Sequence, residues 1–323
     1  MPIIQTAPFL DLHVHTREPG QTDKETMKTA CAAAAAGGFG AITAMANTSP
    51  PVDTPEWVCF VRERARGLSV AVYPVAAVTV GQKGEVLTDF AALKEAGAAA
   101  LSDDGLPIRS EDVLREALGR ANAADLPILL HCEPETEQCE QALYYSKQTG
   151  CPAHICHVSL AGTVSALRKA RRGGVPFTAE TCPHYMTAAA AGKMNPPLGT
   201  GKDVEAVLDA LCDDVIQCIA TDHAPHTEEE KASENPPNGV IGLETALAVT
   251  LEALYHSGRM PLERIFRLLR EAPAAILRVP MPSGVVEIDT DREWIAGQFL
   301  SKARNTPFGG RVLRGKVVTC HVG

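Results

Sequence analysis

The stretch FLDLHVHTREPG, residues 9–20, decides how the rest of the chain is read. It opens as a short apolar run and then places His13 and His15 two residues apart, with Arg17 and Glu18 just beyond. In a strand, residues i and i+2 project to the same face. The two imidazoles can therefore chelate one ion where a buried strand runs out, although two surface histidines at a strand end would look the same in isolation.

Seven further apolar runs follow, at 40–46, 68–78, 98–103, 127–132, 153–158, 175–180 and 216–221, and with 9–15 they make eight candidate strands. Between them lie amphipathic stretches such as TDFAALKEAG, EDVLREALGRANAADL and GTVSALRKARRGG, many ending in Gly as a helix C-terminus does. Strands alternating with helices predict a parallel sheet. Eight such units in roughly 250 residues match a closed (β/α)8 barrel. An open doubly wound sheet would normally offer a Gly-rich phosphate loop after its first strand, and none is present. The expected organisation is an α/β barrel over residues 1–282 and a C-terminal extension over 283–323. In the extension GVVEIDT and GKVVTCHVG read as short strands packing on the barrel.

Composition narrows the class. The 323 residues are 45% hydrophobic and 21% charged, as in an ordinary globular protein. A formal net charge of −9 argues against a nucleic-acid surface. No apolar window is long enough to span a bilayer, and no secretory signal precedes the first strand pattern. The ten cysteines are scattered without CxxC pairs, several inside apolar runs such as CIATDH and ICHVS. They read as reduced, buried residues of a cytoplasmic protein rather than as a disulfide framework or a Cys-ligated zinc site.

The polar residues converge on one end of this barrel. His13 and His15 end strand 1, Asp103 and Asp104 end strand 4, His131 ends strand 5 and His157 ends strand 6. His184 follows strand 7, and Asp222, His223 and His226 end strand 8. Active sites of such barrels lie at the C-terminal strand ends. Imidazole nitrogen and carboxylate oxygen suit zinc and similar divalent ions. Four histidines and two carboxylates exceed the needs of one tetrahedral ion and suffice for two, sharing a bridging carboxylate and a bridging hydroxide. The residue set points to metal-assisted hydrolysis. His154, alternating with the His157 strand, is expected on the outer face. His223 is expected to support its neighbours, Glu18 either to orient Arg17 or to be solvated, and TEEEK at 227–231 to be a solvated helix start.

The motifs DLHVHTREPG, MANTSP, LSDDG, HCE, CHVS, MNPPL, ATDHAPHTEEEK, GVIGLETAL and FLSKARNTPFGG resemble, in order and over nearly the whole chain, those of bacterial type I dihydroorotases of the amidohydrolase superfamily. The resemblance implies reversible closure of N-carbamoyl-L-aspartate to L-dihydroorotate, the third step of pyrimidine synthesis, with one or two zinc ions per chain. Carried over by residue, it implies that His13, His15 and Asp222 hold one metal and that His131 and His157 hold the other. An aspartate of the 103–104 pair bridges where many superfamily members use a carbamylated lysine. Alignment with the family's LSDDG segment selects Asp104. Arg17, aided by Asn47 and His226, would bind the substrate carboxylate, a task an Arg fork suits, and His15 would also contact the substrate. Asn195, Asn238 and Gly239 would contact the ring, and Asp222 would shuttle the proton.

The barrel pattern starts almost at Met1, so the resemblance implies a shortened form lacking most of the N-terminal β-sandwich that family members carry. Apolar surface left bare near 1–8 and 283–323 predicts a homodimer, and the family implies aspartate transcarbamoylase as a further protein partner. Two other functions fit some of the same motifs. A hydantoinase or allantoinase would use the same scaffold, and a dihydroorotase-like chain without activity would serve only as a partner of aspartate transcarbamoylase.

Overall fold

The computed structural model describes residues 3–323. Eight parallel strands form one sheet in sequence order: β2 (Phe9–Asp11), β3 (Phe39–Ala44), β4 (Ala71–Ala76), β5 (Ala100–Leu101), β6 (Ile128–Leu130), β7 (Ala153–Ile155), β8 (Phe177–Thr181) and β9 (Cys218–Ile219). The ring closes just past the ends of β9 and β2. There Val14 bridges His223 in parallel, His15 N donates to His223 O at 2.9 Å, and Thr221 N donates to Asp11 Oδ1 at 3.1 Å. This is the (β/α)8 barrel read from the sequence, with all eight strands inside or within a residue of the expected runs. The strands are apolar on both faces because both are covered, as in the wholly buried β3.

Between consecutive strands run α1 (Met27–Ala36), α2 (Pro55–Ala65), α3 (Phe90–Ala96), α4 (Glu111–Ala124), α5 (Glu135–Thr149), α6 (Ala161–Arg172) and α7 (Gly201–Cys212). Their ends are set locally. Thr26 and Thr200 form capping boxes, Ser110 caps α4 through Val113 N, and α3 and α5 stop at Gly97 and Gly150, both left-handed. After β9 come the short α8 (Glu228–Lys231), α9 (Ala246–Thr250) running into a π-helical turn at Leu251–His256, α10 (Leu262–Leu269) and α11 (Glu271–Leu277).

Three apolar clusters hold these layers together. The largest lies between strands and surrounding helices. A second fills the barrel interior with Leu10, Leu12, Ala41, Val75, Leu129 and Ala220, closed by Ala274 and Leu277 of α11. The third joins Phe299, Ala303 and Phe308 to Ile241 and Val249.

A three-stranded antiparallel sheet stands beside the barrel in the order β1 (Ile4–Thr6), β10 (Gly284–Ile295), β11 (Val312–Val322). The N-terminal segment differs here from the sequence reading, which assigned it to the barrel. Ile4–Thr6 pairs with Val286–Ile288, and the chain enters the barrel only at Phe9, the start of β2. No helix among the described residues is long and apolar enough to cross a membrane.

Leu129 is fully buried in the barrel interior. Leu129→Ala should lower unfolding stability by about 2–5 kcal/mol, since the closed ring cannot collapse onto the gap. Urea titration reads the loss, and an unchanged midpoint would contradict this account of the core.

Candidate metal centre

Each metal-ligand candidate sits just past the C-terminal end of a barrel strand. His13 and His15 follow β2, Asp104 follows β5, His131 follows β6, His157 follows β7 and Asp222 follows β9. Three of the site's non-glycine residues take left-handed backbone angles: Arg17 at φ 61°, His157 at φ 37° and Asp222 at φ 47°. Such angles cost energy for residues with a Cβ, and surrounding contacts must hold them. They also break strand parity. His154 was expected outside on the alternation with His157, but it alternates with Ala153 and Ile155 of the outer cluster and lies buried within the barrel. Its Nδ1 is 2.7 Å from Thr178 Oγ1 and its Nε2 is 3.4 Å from Glu180 Oε2. His157 reaches the same interior only because the chain turns left-handed there.

Asp104 is the centre of the cluster. Its Oδ1 lies 3.3 Å from His13 Nε2, 3.3 Å from His157 Nε2 and 3.5 Å from His131 Nδ1, and its Oδ2 lies 3.3 Å from His15 Nε2. Asp222 Oδ1 lies 3.0 Å from His15 Nε2 and 3.6 Å from His13 Nε2. Two overlapping donor sets result, His13–His15–Asp104–Asp222 and Asp104–His131–His157, each with its ligand atoms within 4.8 Å of one another. Asp104 belongs to both. Asp103 points away and accepts from Val78 N at 2.8 Å, Thr79 N at 3.1 Å and Thr79 Oγ1 at 2.5 Å.

The donor set fits divalent cations. All six side chains are buried. His13 Nε2 has no aligned hydrogen-bond partner among the described residues although Asp104 is close. Burial would push His13 down, but the charges of Asp104 and Glu180 prevail and raise it well above the usual imidazole range. His157 is raised against its burial by its hydrogen bond to Asp104. Burial likewise opposes ionisation of Asp104 and Asp222, yet the charge of His13 and the hydrogen bonds from the imidazoles bring both below the usual carboxylate range. These opposed shifts express one preference, for positive charge between the carboxylates, which a divalent ion satisfies while leaving the imidazoles neutral.

A surrounding layer sets the ring orientations. Glu180 Oε1 lies 2.6 Å from His13 Nδ1, and His13 overcomes the effect of burial to bring Glu180 down to about 2. Asn47 Oδ1 lies 2.7 Å from His15 Nδ1, and Asn47 Nδ2 donates to Asp104 O at 3.3 Å. His223 stands behind Asp222, its Nε2 3.4 Å from Glu25 Oε2 and its Nδ1 accepting from Gly242 N at 3.2 Å. Sequence reading missed Glu180 and Glu25. Both are distant from their partners along the chain, and the only available signal was an acidic residue inside an apolar run, as in FTAETC.

Above the cluster opens a cleft of about 590 Å³. It is lined by His15, Arg17, Asn47, Asp104, Gly105, His131, His157, Asn195, Asp222, Ala224, His226, Asn238 and Gly239. The sequence-read residues Arg17, Asn47, Asn195, His226, Asn238 and Gly239 thus share one wall system with the metal-ligand candidates. Arg17 Nε donates to Pro225 O at 3.0 Å, and its Nη2 lies 3.3 Å from His226 Nε2. Burial lowers Arg17 to about 10, so it stays cationic at neutral pH. Burial and the neighbouring Arg17 charge lower His226 to about 4 and keep it neutral. Asn195 Nδ2 lies 3.2 Å from His131 Nε2. His184 is buried outside the cleft wall, its Nε2 without a partner among the described residues, and burial lowers it to about 4. Glu18 neither orients Arg17 nor faces solvent: it accepts from Met27 N at 2.7 Å, at the start of α1, and pairs with Arg64 at 2.8 Å. The TEEEK segment does begin a helix, but Glu230 and Lys231 are tied to the site. Glu230 lies 3.2 Å from His226 Nδ1, and Lys231 Nζ donates to Pro237 O and Gly239 O, each at 2.8 Å.

A closed barrel with this cluster at its C-terminal mouth has the build of a metal-dependent hydrolase. Solved structures agree on the fold. An L-hydantoinase from Arthrobacter aurescens superposes with a TM-score of 0.87 at 20% identity, covering 99% of this chain and 84% of its own. A dihydropyrimidinase from Brevibacillus agri NCHU1002 reaches 0.84 at 18% identity, covering 98% and 83%. A family model described as dihydro-orotase-like matches residues 4–144. The dihydroorotase of Geobacillus sp. (strain WCH70) is 39% identical over 98% of this chain and 86% of its own length. That of Bacillus caldolyticus is 38% identical over 98% and 85%. The chain belongs to the dihydroorotase family.

The geometry separates the paired aspartates. Asp104→Ala should strip bound metal, since it removes a donor from both sets. Asp103→Ala should keep the metal and cost about 1–3 kcal/mol of stability from lost buried hydrogen bonds. Metal content by atomic emission and a denaturant titration measure the two effects. Metal loss confined to Asp103→Ala would contradict the assignment.

Proposed function

We propose that this chain interconverts N-carbamoyl-L-aspartate and L-dihydroorotate in pyrimidine synthesis, with zinc as its metal and in the cytoplasm. Arg17 carries the choice of substrate. It is 7% exposed, and its polar contacts are a carbonyl and a neutral imidazole, with no carboxylate pairing with it among the described residues. A buried guanidinium without an anion is costly, and a substrate carboxylate supplies the missing partner in a geometry that Arg fits bidentately. Hydantoin and allantoin lack that carboxylate.

Each residue then has a task. His13, His15, Asp104, His131, His157 and Asp222 would hold one or two zinc ions, which supply Lewis-acid polarisation of the carbonyl and a more acidic water. In ring opening, water adds to the ring carbonyl carbon, the C–N bond breaks, and the nitrogen departs carrying a proton; closure reverses each event. Asp222 holds that proton in transit. Its Oδ1 faces His13 and His15 while the carboxylate also lines the cleft, so it can take a proton from the water and return it to the nitrogen. Arg17, backed by His226, fixes the carboxylate, His15 and Asn47 border it, and Asn195, Asn238 and Gly239 seat the ring.

The test is turnover of N-carbamoyl-L-aspartate against hydantoin and allantoin. The acid alone should react efficiently, chelation should abolish the reaction, and zinc should restore it. Full turnover in chelator, or preference for a neutral substrate, would sink the proposal. Arg17→Met should cut kcat/KM about 30-fold or more, equal to about 2 kcal/mol of transition-state stabilisation, with partial rescue by Lys.

We also propose a homodimer through the face around the small sheet, where Ile295 is 68% exposed, Val312 61% and Leu300 57%. Aspartate transcarbamoylase, which the family resemblance implies, is the proposed heterologous partner. Light scattering at micromolar concentration should give twice the chain mass, and a monodisperse monomer would count against the dimer.

A further inference from the structure

The segment FLSKARNTPF, residues 299–308, lies outside the eight strand–helix units, and the reaction as described assigns it no task. We infer that it is a strap that sets the ring-side wall of the cleft, and that Asn305 is its positioning residue. The inference rests on the substrate reading above for what the wall binds.

Two anchors hold the strap. Side chains alternate along it, Ser301 and Ala303 buried, Lys302 and Arg304 exposed, as in an extended tether. Phe299, Ala303 and Phe308 pack with Ile241 and Val249 in a cluster separate from the barrel core. Ser301 Oγ donates to Glu25, and Lys302 N donates to Glu25 Oε1 at 3.1 Å. Glu25 in turn meets His223, the residue after Asp222.

Between these anchors Asn305 uses its whole amide on two wall segments. Nδ2 donates to Ala224 O at 3.0 Å and Gly239 O at 3.1 Å, and Oδ1 accepts from His226 N at 3.2 Å. Its backbone carbonyl accepts from Ile241 N at 3.1 Å. One side chain therefore ties the turn at Ala224–His226 to the turn at Gly239. Arg17 leans on the first turn through Pro225 O, so the tie fixes both the carboxylate ligand and the ring wall. Gly239 sits at φ 109°, where a Cβ would come within 2.6 Å of Ala224 Cβ, so the two turns touch directly and leave no slack. Asn305 contacts none of the six metal-ligand candidates in these bonds. Its action is on substrate affinity.

The experiment compares wild type, Asn305→Ala and Asn305→Asp as full-length, zinc-loaded protein. Asp keeps the acceptor for His226 N but places an oxygen against two carbonyls. Both variants should raise KM for N-carbamoyl-L-aspartate about tenfold or more, as expected for lost hydrogen bonds in a binding wall, with kcat changed far less, metal content unchanged and Asp no better than Ala. Amide hydrogen exchange should accelerate in 223–241 and stay unchanged in the barrel strands. Unchanged KM, or loss of metal together with KM, would overturn the inference. If wild type fails to turn over carbamoyl-aspartate, the substrate reading falls and exchange alone judges the strap: faster exchange in 223–241 supports it, and unchanged exchange overturns it.

Discussion

The structure depends on keeping six buried metal-ligand candidates crowded together, with the carboxylate of Asp104 at their centre. Asp104 stands within 3.5 Å of a nitrogen of each of four histidines. Such a group is tolerable only if its charge is balanced and its rings cannot turn. Both requirements propagate outward. Balance calls for cations between Asp104 and Asp222. Fixed rings call for Glu180 behind His13 and Asn47 behind His15. The left-handed turns at His157 and Asp222 are the backbone's part of the same requirement, since a regular strand cannot aim neighbouring residues at one point.

The barrel supplies rigidity for this arrangement, and the loops beyond it line the cleft. Strand ends hold the metal-ligand candidates, whereas the walls that would meet the organic substrate come from the segments 224–226 and 238–239 and from Arg17. These walls are built without regular strand pairing and are tied by side chains from far away in the chain, Lys231 and Asn305 among them. A guanidinium kept buried and without a carboxylate partner among the described residues would give the cleft a preference for acidic ligands. The same barrel in hydantoinases shows that fold alone does not set this preference.

Much of this was legible in the sequence. Eight apolar runs separated by amphipathic stretches ending in glycine led to the barrel, because burial on both faces makes parallel strands uniformly apolar. The histidines and aspartates were legible as a site because topology gathers all strand ends on one rim. Parity was not. His154 was placed outside by alternation with His157, and no pattern in HICHVS announces that His157 turns left-handed. Glu180, Glu25 and Asn305 escaped for another reason. Each acts across a long stretch of chain, where only the folded structure creates the contact. The pairing of Ile4–Thr6 with β10 is likewise long-range.

Anomalous diffraction from crystals of the zinc-loaded protein would locate the ions relative to Asp104. One or two peaks are expected beside Asp104: among His13, His15 and Asp222, beside His131 and His157, or at both. A single ion bound without Asp104, or ions bound elsewhere with this cluster empty in active protein, would contradict that placement.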